Sequence, residues 1–236
     1  MLLTSLRYLN QRLKMQRILI SPLAKPERII LDWLVVRMPM WVTSDGLTAL
    51  GVLGSFLTCL GYILTWNSPQ FLWLASFGIV MNWFGDSLDG SLARYRQMER
   101  PRYGFLLDQT IDVFGNILVG VGMASSPYIR LETAFLAFTG YHMLTISSLV
   151  RAALDRTFHV TLSNMGPTEI RALIILTNVL ILMFGAPQWI AFGVSFAWCD
   201  ITVGLFGVGF FFVFFYLLYT DAKRLRADDD AARKNK

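Results

Sequence analysis

The sequence is poor in charge, in cysteine and in histidine, and each shortage removes a class of function. Only 16% of its 236 residues are Asp, Glu, Lys or Arg, against about 25% in a typical soluble domain, so a water-facing globular surface is hard to build from this chain. The two cysteines, Cys59 and Cys199, lie far apart in apolar or interfacial sequence. They offer neither a zinc spacing nor a disulfide framework and read as buried thiols. The two histidines, His142 and His159, have no partner at a meaningful spacing and read as core or surface residues. The first forty residues are basic but hold no short apolar core ending at small residues, so no cleaved signal peptide is expected. The length suits one domain.

What the chain has in excess is apolar surface: 55% of residues are hydrophobic and the mean hydropathy is +0.50. A bilayer core about 30 Å thick needs roughly 20 such residues per helix. Six segments qualify, at about 46–66, 70–90, 104–124, 131–153, 168–186 and 201–220. Asn67, Ser68 and Pro69, then Ser125, Ser126 and Pro127, then Gly185, Ala186 and Pro187 break the chain between spans. The stretch 188–202, apolar but holding Trp189, Trp198 and Asp200, is expected to be an interfacial connection. Glycine pairs such as Gly51 with Gly54 and Gly204 with Gly207 suit close helix packing.

The net charge of +5 does not point to nucleic acid, because the basic residues sit between apolar segments rather than along a soluble face. Twenty of the 21 Lys and Arg fall on one side of the expected spans, leaving Arg130 alone on the other. The positive-inside rule then puts both termini in the cytoplasm. From Ser21 to Met38, Lys25, Arg28 and Arg37 alternate with Ile29, Ile30, Leu31, Trp33 and Leu34, as in an amphipathic helix at the membrane surface. The expected fold is therefore all-α and integral to the membrane, with six transmembrane helices and an amino-terminal interfacial helix. Its parts would be a cytoplasmic arm and interfacial helix over 1–43, a transmembrane catalytic domain over 44–221 and a charged cytoplasmic tail over 222–236, where Asp228, Asp229 and Asp230 read as solvated.

Against this background, four aspartates in spans two and three stand out. An ionisable group at membrane depth is expensive and marks a working site. Asp86 and Asp89 are three apart, and Asp108 and Asp112 four apart, so each pair shares a helix face. A short basic connection, Arg94 to Arg102, makes the two spans antiparallel neighbours. Four facing carboxylates need protons or a cation, and hard oxygen donors suit Mg²⁺, Mn²⁺ or Ca²⁺. Two such ions could serve phosphate chemistry. Spacing alone equally allows a proton- or cation-coupled transporter that uses the same aspartates, although no second copy of the motif suggests a transporter repeat.

The intervening residues decide between these. Asp86, Asp89, Gly90, Ala93 and Arg94 are followed after nine residues by Gly104, Asp108 and Asp112. This resembles the signature of the CDP-alcohol phosphotransferase family, with all eight specified residues present and one extra residue in the basic connection. The resemblance implies a phospholipid-synthesis enzyme dependent on Mg²⁺ or Mn²⁺, with two ions held by Asp86, Asp89 and Asp108. Asp112 would be the general base beside those ligands and within reach of the ions. The donor would be CDP-diacylglycerol or another CDP-alcohol, and the acceptor a small polar alcohol or a lipid alcohol, with CMP released. Gly90, Ala93 and Gly104 would let the nucleotide approach, Arg94 would meet phosphate or snorkel, and Thr43 would touch cytidine or cap a helix. Arg151, Glu169 and Arg171 are candidates for the acceptor or a lipid phosphate. The run Gly166, Pro167, Thr168, Glu169 also suits a helix start. It is similar to one in the branch that makes phosphatidylcholine and phosphatidylethanolamine from diacylglycerol. Family members commonly dimerise, so a homodimer with its active site at the cytoplasmic side is expected.

Overall fold

The computed structural model describes residues 16–18, 22–155, 157–159, 166–191 and 193–234. Most of the amino-terminal basic arm, Ser21, Arg156 and the side chains of Asp155 and His159 lie outside the described residues. Among the described residues seven α-helices dominate: α1 (Ala24–Arg37), α2 (Ser44–Leu64), α3 (Leu72–Tyr95), α4 (Pro101–Ala124), α5 (Leu131–Asp155), α6 (Pro167–Phe184) and α7 (Trp198–Lys234). Five of them, α2 and α4 to α7, are long and apolar enough to cross a membrane, and the chain is an all-α membrane protein. The helix α3 matches α4 in length at 24 residues, but Asn82, Asp86, Asp89 and Arg94 dilute its apolar character.

Helix ends follow local chemistry. Thr43, in extended conformation, accepts the Gly46 amide at 3.1 Å and starts α2. Pro101 and Pro167 occupy the first turns of α4 and α6, where a missing N–H costs nothing. Gly185 ends α6 with a φ of 70°, a left-handed value that glycine adopts without strain.

Within the connection expected over 188–202, β3 (Gln188–Ala191) and β4 (Val194–Ala197) form an antiparallel hairpin, with Trp189 opposite Phe196, and the last helix already starts at Trp198. The last helix begins at Trp198 because Asp200 caps the turn: its Oδ2 accepts the Ala197 amide at 3.1 Å and its Oδ1 the Arg130 amide at 2.7 Å. That helix also does not stop where the apolar run does. Its 37 residues make about 55 Å at 1.5 Å per residue, so the charged tail is a helical extension of the span. Two further strands, β1 (Gln16–Ile18) and β2 (Thr157–His159), pair in parallel.

Packing centres on α2. A methyl group added at Gly54 would lie 2.4 Å from the Asn82 amide nitrogen, and one at Gly61 equally close to that of Ala75. The faces of α2 and α3 thus meet backbone to backbone, and Thr58 Oγ1 bridges them, donating to Gly54 O at 2.9 Å and to Ala75 O at 3.2 Å. On its other flank α2 receives α4 through Gly115 and Gly122, which abut Ser55 and Cys59. The buried Tyr62 hydroxyl donates to Asn178 Oδ1 at 2.8 Å, and Asn178 Nδ2 donates to Ser76 Oγ at 3.1 Å, joining α2, α6 and α3. The helix α5 lies on α4 and α7.

Candidate active site

The two acid-bearing helices, α3 and α4, face each other across a cleft into which both send their carboxylates. Their backbones pack more closely on α2 than on each other, because the small-residue faces of α2 seat α3 and α4 on two sides of that cleft. Thr48 and Gly51 of α2, Asn82, Asp86 and Asp89 of α3, and Asp108, Ile111 and Asp112 of α4 line that cleft.

Within it, one carboxylate oxygen each from Asp86, Asp108 and Asp112 lies within 4.8 Å of the other two. Asp86, Asp89 and Asp108 each have a polar partner. Arg171 Nη2 reaches Asp86 Oδ2 at 2.7 Å, with both side chains largely buried. Thr48 Oγ1 donates to Asp89 Oδ2 at 2.6 Å, and Ser44 Oγ donates to the Asp89 carbonyl at 2.9 Å. Gln109 Nε2 donates to Asp108 Oδ2 at 3.1 Å. At the inner end, Asn82 Nδ2 donates to Gly51 O and Ser55 Oγ, both at 3.1 Å, so that amide is already satisfied. Tyr141 of α5 stands within electrostatic reach of Asp112, Asp86 and Arg171.

Four carboxylates stand around the Arg171 guanidinium and give the cleft an excess of negative charge. Three oxygens so close together repel one another unless a cation or protons intervene. Oxygen-only donors at this separation fit a hard divalent ion, whose ligands stand about 2.0–2.6 Å from the metal. The cluster of Asp86, Asp108 and Asp112 could therefore hold one.

The glycines of the motif differ from the packing glycines. A methyl at Gly104 would meet nothing within 4 Å, and one at Gly90 would meet only the end of the flexible Arg94 side chain. The fold does not demand glycine at either position. Ala93 is half-buried on the same stretch of α3, and Arg94 is exposed with Nη2 donating to Ser91 Oγ at 3.0 Å.

The remaining candidates lie elsewhere. Thr43 serves as the cap of α2. Arg151 pairs with Asp221 of α7, and its buried Nη2 has no hydrogen-bond acceptor among the described residues. Both carboxylate oxygens of Glu169 accept backbone amides, Gly166 N at 2.8 Å and Leu23 N at 3.0 Å. The sequence reading passed over Thr48, Ser44, Asn82, Tyr141 and Glu27. Of these, Ser44 and Thr48 carried a signal, two hydroxyls one turn apart on the helix preceding the acidic motif.

A family model described as CDP-alcohol phosphatidyltransferase matches residues 41–206, a stretch that contains the whole cleft. Cholinephosphotransferase 1 of Bos taurus is 26% identical over 188 residues, covering 72% of this chain and 43% of that protein. Its Danio rerio counterpart is 27% identical over 124 residues, covering 49% of this chain and 32% of that protein. Phosphatidylinositol phosphate synthase of Cutibacterium acnes is 35% identical over 88 residues, covering 35% of this chain and 38% of that protein. The chain thus matches less than half the length of each of these relatives.

Proposed function

The chain belongs to the CDP-alcohol phosphatidyltransferase family, and on that premise we propose that it transfers a phosphatidyl or substituted phosphoryl group from a CDP-alcohol to an acceptor hydroxyl, releasing CMP. The observation that carries this reading is the convergence of Asp86, Asp108 and Asp112 within 4.8 Å, with Gly104 facing open space and Gly90 facing only the flexible end of Arg94. Asp86, Asp89 and Asp108 would hold Mg²⁺ or Mn²⁺, with Asp112 close enough to share an ion. Such ions, when bound, neutralise the diphosphate and stabilise the entering and leaving oxygens.

The chain's own residues do the rest. Thr48 and Ser44 hold Asp89 in one orientation. The open wall at Gly90, Ala93 and Gly104 admits the nucleotide and its phosphates, with Arg94 at the rim. Asp112 takes the proton from the acceptor hydroxyl through a carboxylate oxygen as that hydroxyl attacks phosphorus. Arg171 adds positive charge where the transferred phosphoryl becomes more negative. Arg151 offers an unmatched donor for an anionic acceptor or lipid, whereas Glu169 braces the start of α6.

In the membrane we place α3 as a sixth span, its apolar first half in the bilayer and its acidic half opening to the cytoplasm with both termini. The helix α1 then lies at the surface with Ile29, Ile30, Trp33 and Val36, all exposed, turned to lipid. We take the assembly to be a homodimer, as the family resemblance implies. The match over 188 residues to a cholinephosphotransferase and the Gly166 to Glu169 run make head-group transfer onto a lipid alcohol the first pair to examine. The test is CMP formation by the purified chain in lipid, with CDP-choline plus diacylglycerol set against CDP-diacylglycerol plus small alcohols. Turnover of either pair that requires Mg²⁺ or Mn²⁺ supports the proposal. Cation flux without any CMP would support the transporter reading instead.

A further inference from the structure

Glu27 has no part in the chemistry above, yet its surroundings are built around it. It lies on the inner face of α1, in register with Leu31, Leu34 and Val35, which pack with Leu88 and Leu92 of α3. A carboxylate on such a face is costly unless donors reach it. Three reach one oxygen, Oε1: Trp83 Nε1 at 2.7 Å, Thr168 Oγ1 at 2.9 Å and Ser87 Oγ at 3.2 Å. The donors flank both members of the Asp86–Arg171 ion pair. Trp83 and Ser87 stand three positions before and one after Asp86, and Thr168 stands three before Arg171. Glu169, on the next residue, returns the connection by accepting the Leu23 amide just ahead of α1. A second side-chain link between α6 and α3, Asn178 to Ser76, lies further along both helices, about 10 Å from Arg171 at 1.5 Å per residue.

From this arrangement we infer that Glu27 is a positioning residue: its carboxylate fixes the first turn of α6 against α3 and so keeps Arg171 on Asp86. The catalytic consequence rests on the proposed function, whereas the mechanical link does not. Because α1 carries both this carboxylate and an exposed apolar face, the same contact joins a membrane-surface helix to the charged centre of the cleft.

A mutant cycle on the full chain in lipid nanodiscs tests the inference, with Mn²⁺ affinity followed by electron paramagnetic resonance and turnover by CMP release. Glu27→Ala should shift the Mn²⁺ affinity in the same direction as Arg171→Ala and lower kcat about tenfold, with less effect on donor KM, as loss of a supporting contact does. In the Arg171→Ala background the same change should alter either quantity by less than about twofold, since the two residues act as one unit. Glu27→Gln, whose amide oxygen can accept the same three bonds, should stay within about threefold of the wild type. Equal losses in both backgrounds, or a Gln variant as impaired as the Ala variant, would overturn the inference. If Glu27→Ala does not fold, Ser87→Ala with Thr168→Val removes two of the three donors and enters the same cycle. Coupled Mn²⁺ shifts without any CDP-alcohol turnover would sink the proposed function and leave this link standing. A wild-type chain that binds no Mn²⁺ would sink the proposed function alone, and the same cycle read on thermal midpoints would then decide the link, with equal losses in both backgrounds overturning it.

Discussion

Thr48 donates its hydroxyl to Asp89 Oδ2 at 2.6 Å, so α2, which contributes no carboxylate to the cleft, still sets the orientation of one on α3. Ser44, one turn earlier, holds the backbone of that same aspartate at 2.9 Å. Replacing Thr48 by Val keeps its shape and removes the donor. Outer contacts of this kind change metal affinity or activity by about 10–100-fold, and a loss at the low end of that range is expected in Mn²⁺ affinity and kcat/KM together. Titration of the Thr48→Val variant checks it, and an unchanged Mn²⁺ affinity would remove Thr48 from the site.

Arg171 supplies the positive charge nearest the acidic cluster, 2.7 Å from Asp86. Removing it has two opposed consequences. The cleft becomes more negative, so Arg171→Ala should bind Mn²⁺ more tightly, by at least about tenfold, because a unit charge roughly 4 Å from another is worth about 4 kcal/mol at an effective dielectric near 20. Turnover should nevertheless fall by about 10²-fold, because charge aimed at the transferring group is lost. Paired measurements of affinity and kcat distinguish this from general damage, which would weaken both.

The two classes of glycine predict opposite phenotypes. Gly54→Ala forces a methyl to within 2.4 Å of the Asn82 nitrogen and should separate α2 from α3, at a cost of about 1–3 kcal/mol or more for overpacking. Its thermal midpoint in detergent should drop markedly. Gly104→Ala meets nothing within 4 Å and should stabilise α4 by about 0.5–1 kcal/mol. In return it should raise the donor KM, because the methyl occupies space the nucleotide needs. A Gly104→Ala protein with unchanged KM would show that the open wall is not a nucleotide surface.

Much of the membrane architecture was legible in the sequence, because hydropathy and proline-containing breaks are local properties. Five of the six expected spans fall on helices long and apolar enough to cross a membrane, and the remaining one falls on α3, which extends to Tyr95 as α7 does to Lys234. What could not be read was which helices touch. The packing of both α3 and α4 on α2 depends on Gly54, Gly61, Gly115 and Gly122 lying on particular faces, and a glycine pair in a sequence does not name its partner. The hairpin over 188–197 was missed for a similar reason: Asp200 looked like a misplaced charge until its two backbone partners, at Arg130 and Ala197, were visible. The four aspartates were evident from the start. Their supports were not, because Thr48, Arg171 and Glu27 come from three other helices, at distances in sequence that no spacing rule connects.

If this cleft makes CMP by metal-dependent transfer with Asp112 as the base, the wild type and Asp112→Asn must differ in turnover and agree in metal binding. Wild-type and Asp112→Asn proteins would be assayed for CMP release with a CDP-alcohol donor and its acceptor, each with Mn²⁺ affinity measured on the same sample. The account predicts Mn²⁺-dependent CMP from the wild type. It predicts loss of about 10²–10⁴-fold in the variant, the usual contribution of a positioned base, with Mn²⁺ affinity largely kept. A variant that still turns over near the wild-type rate, or one whose Mn²⁺ binding disappears together with its activity, would contradict it.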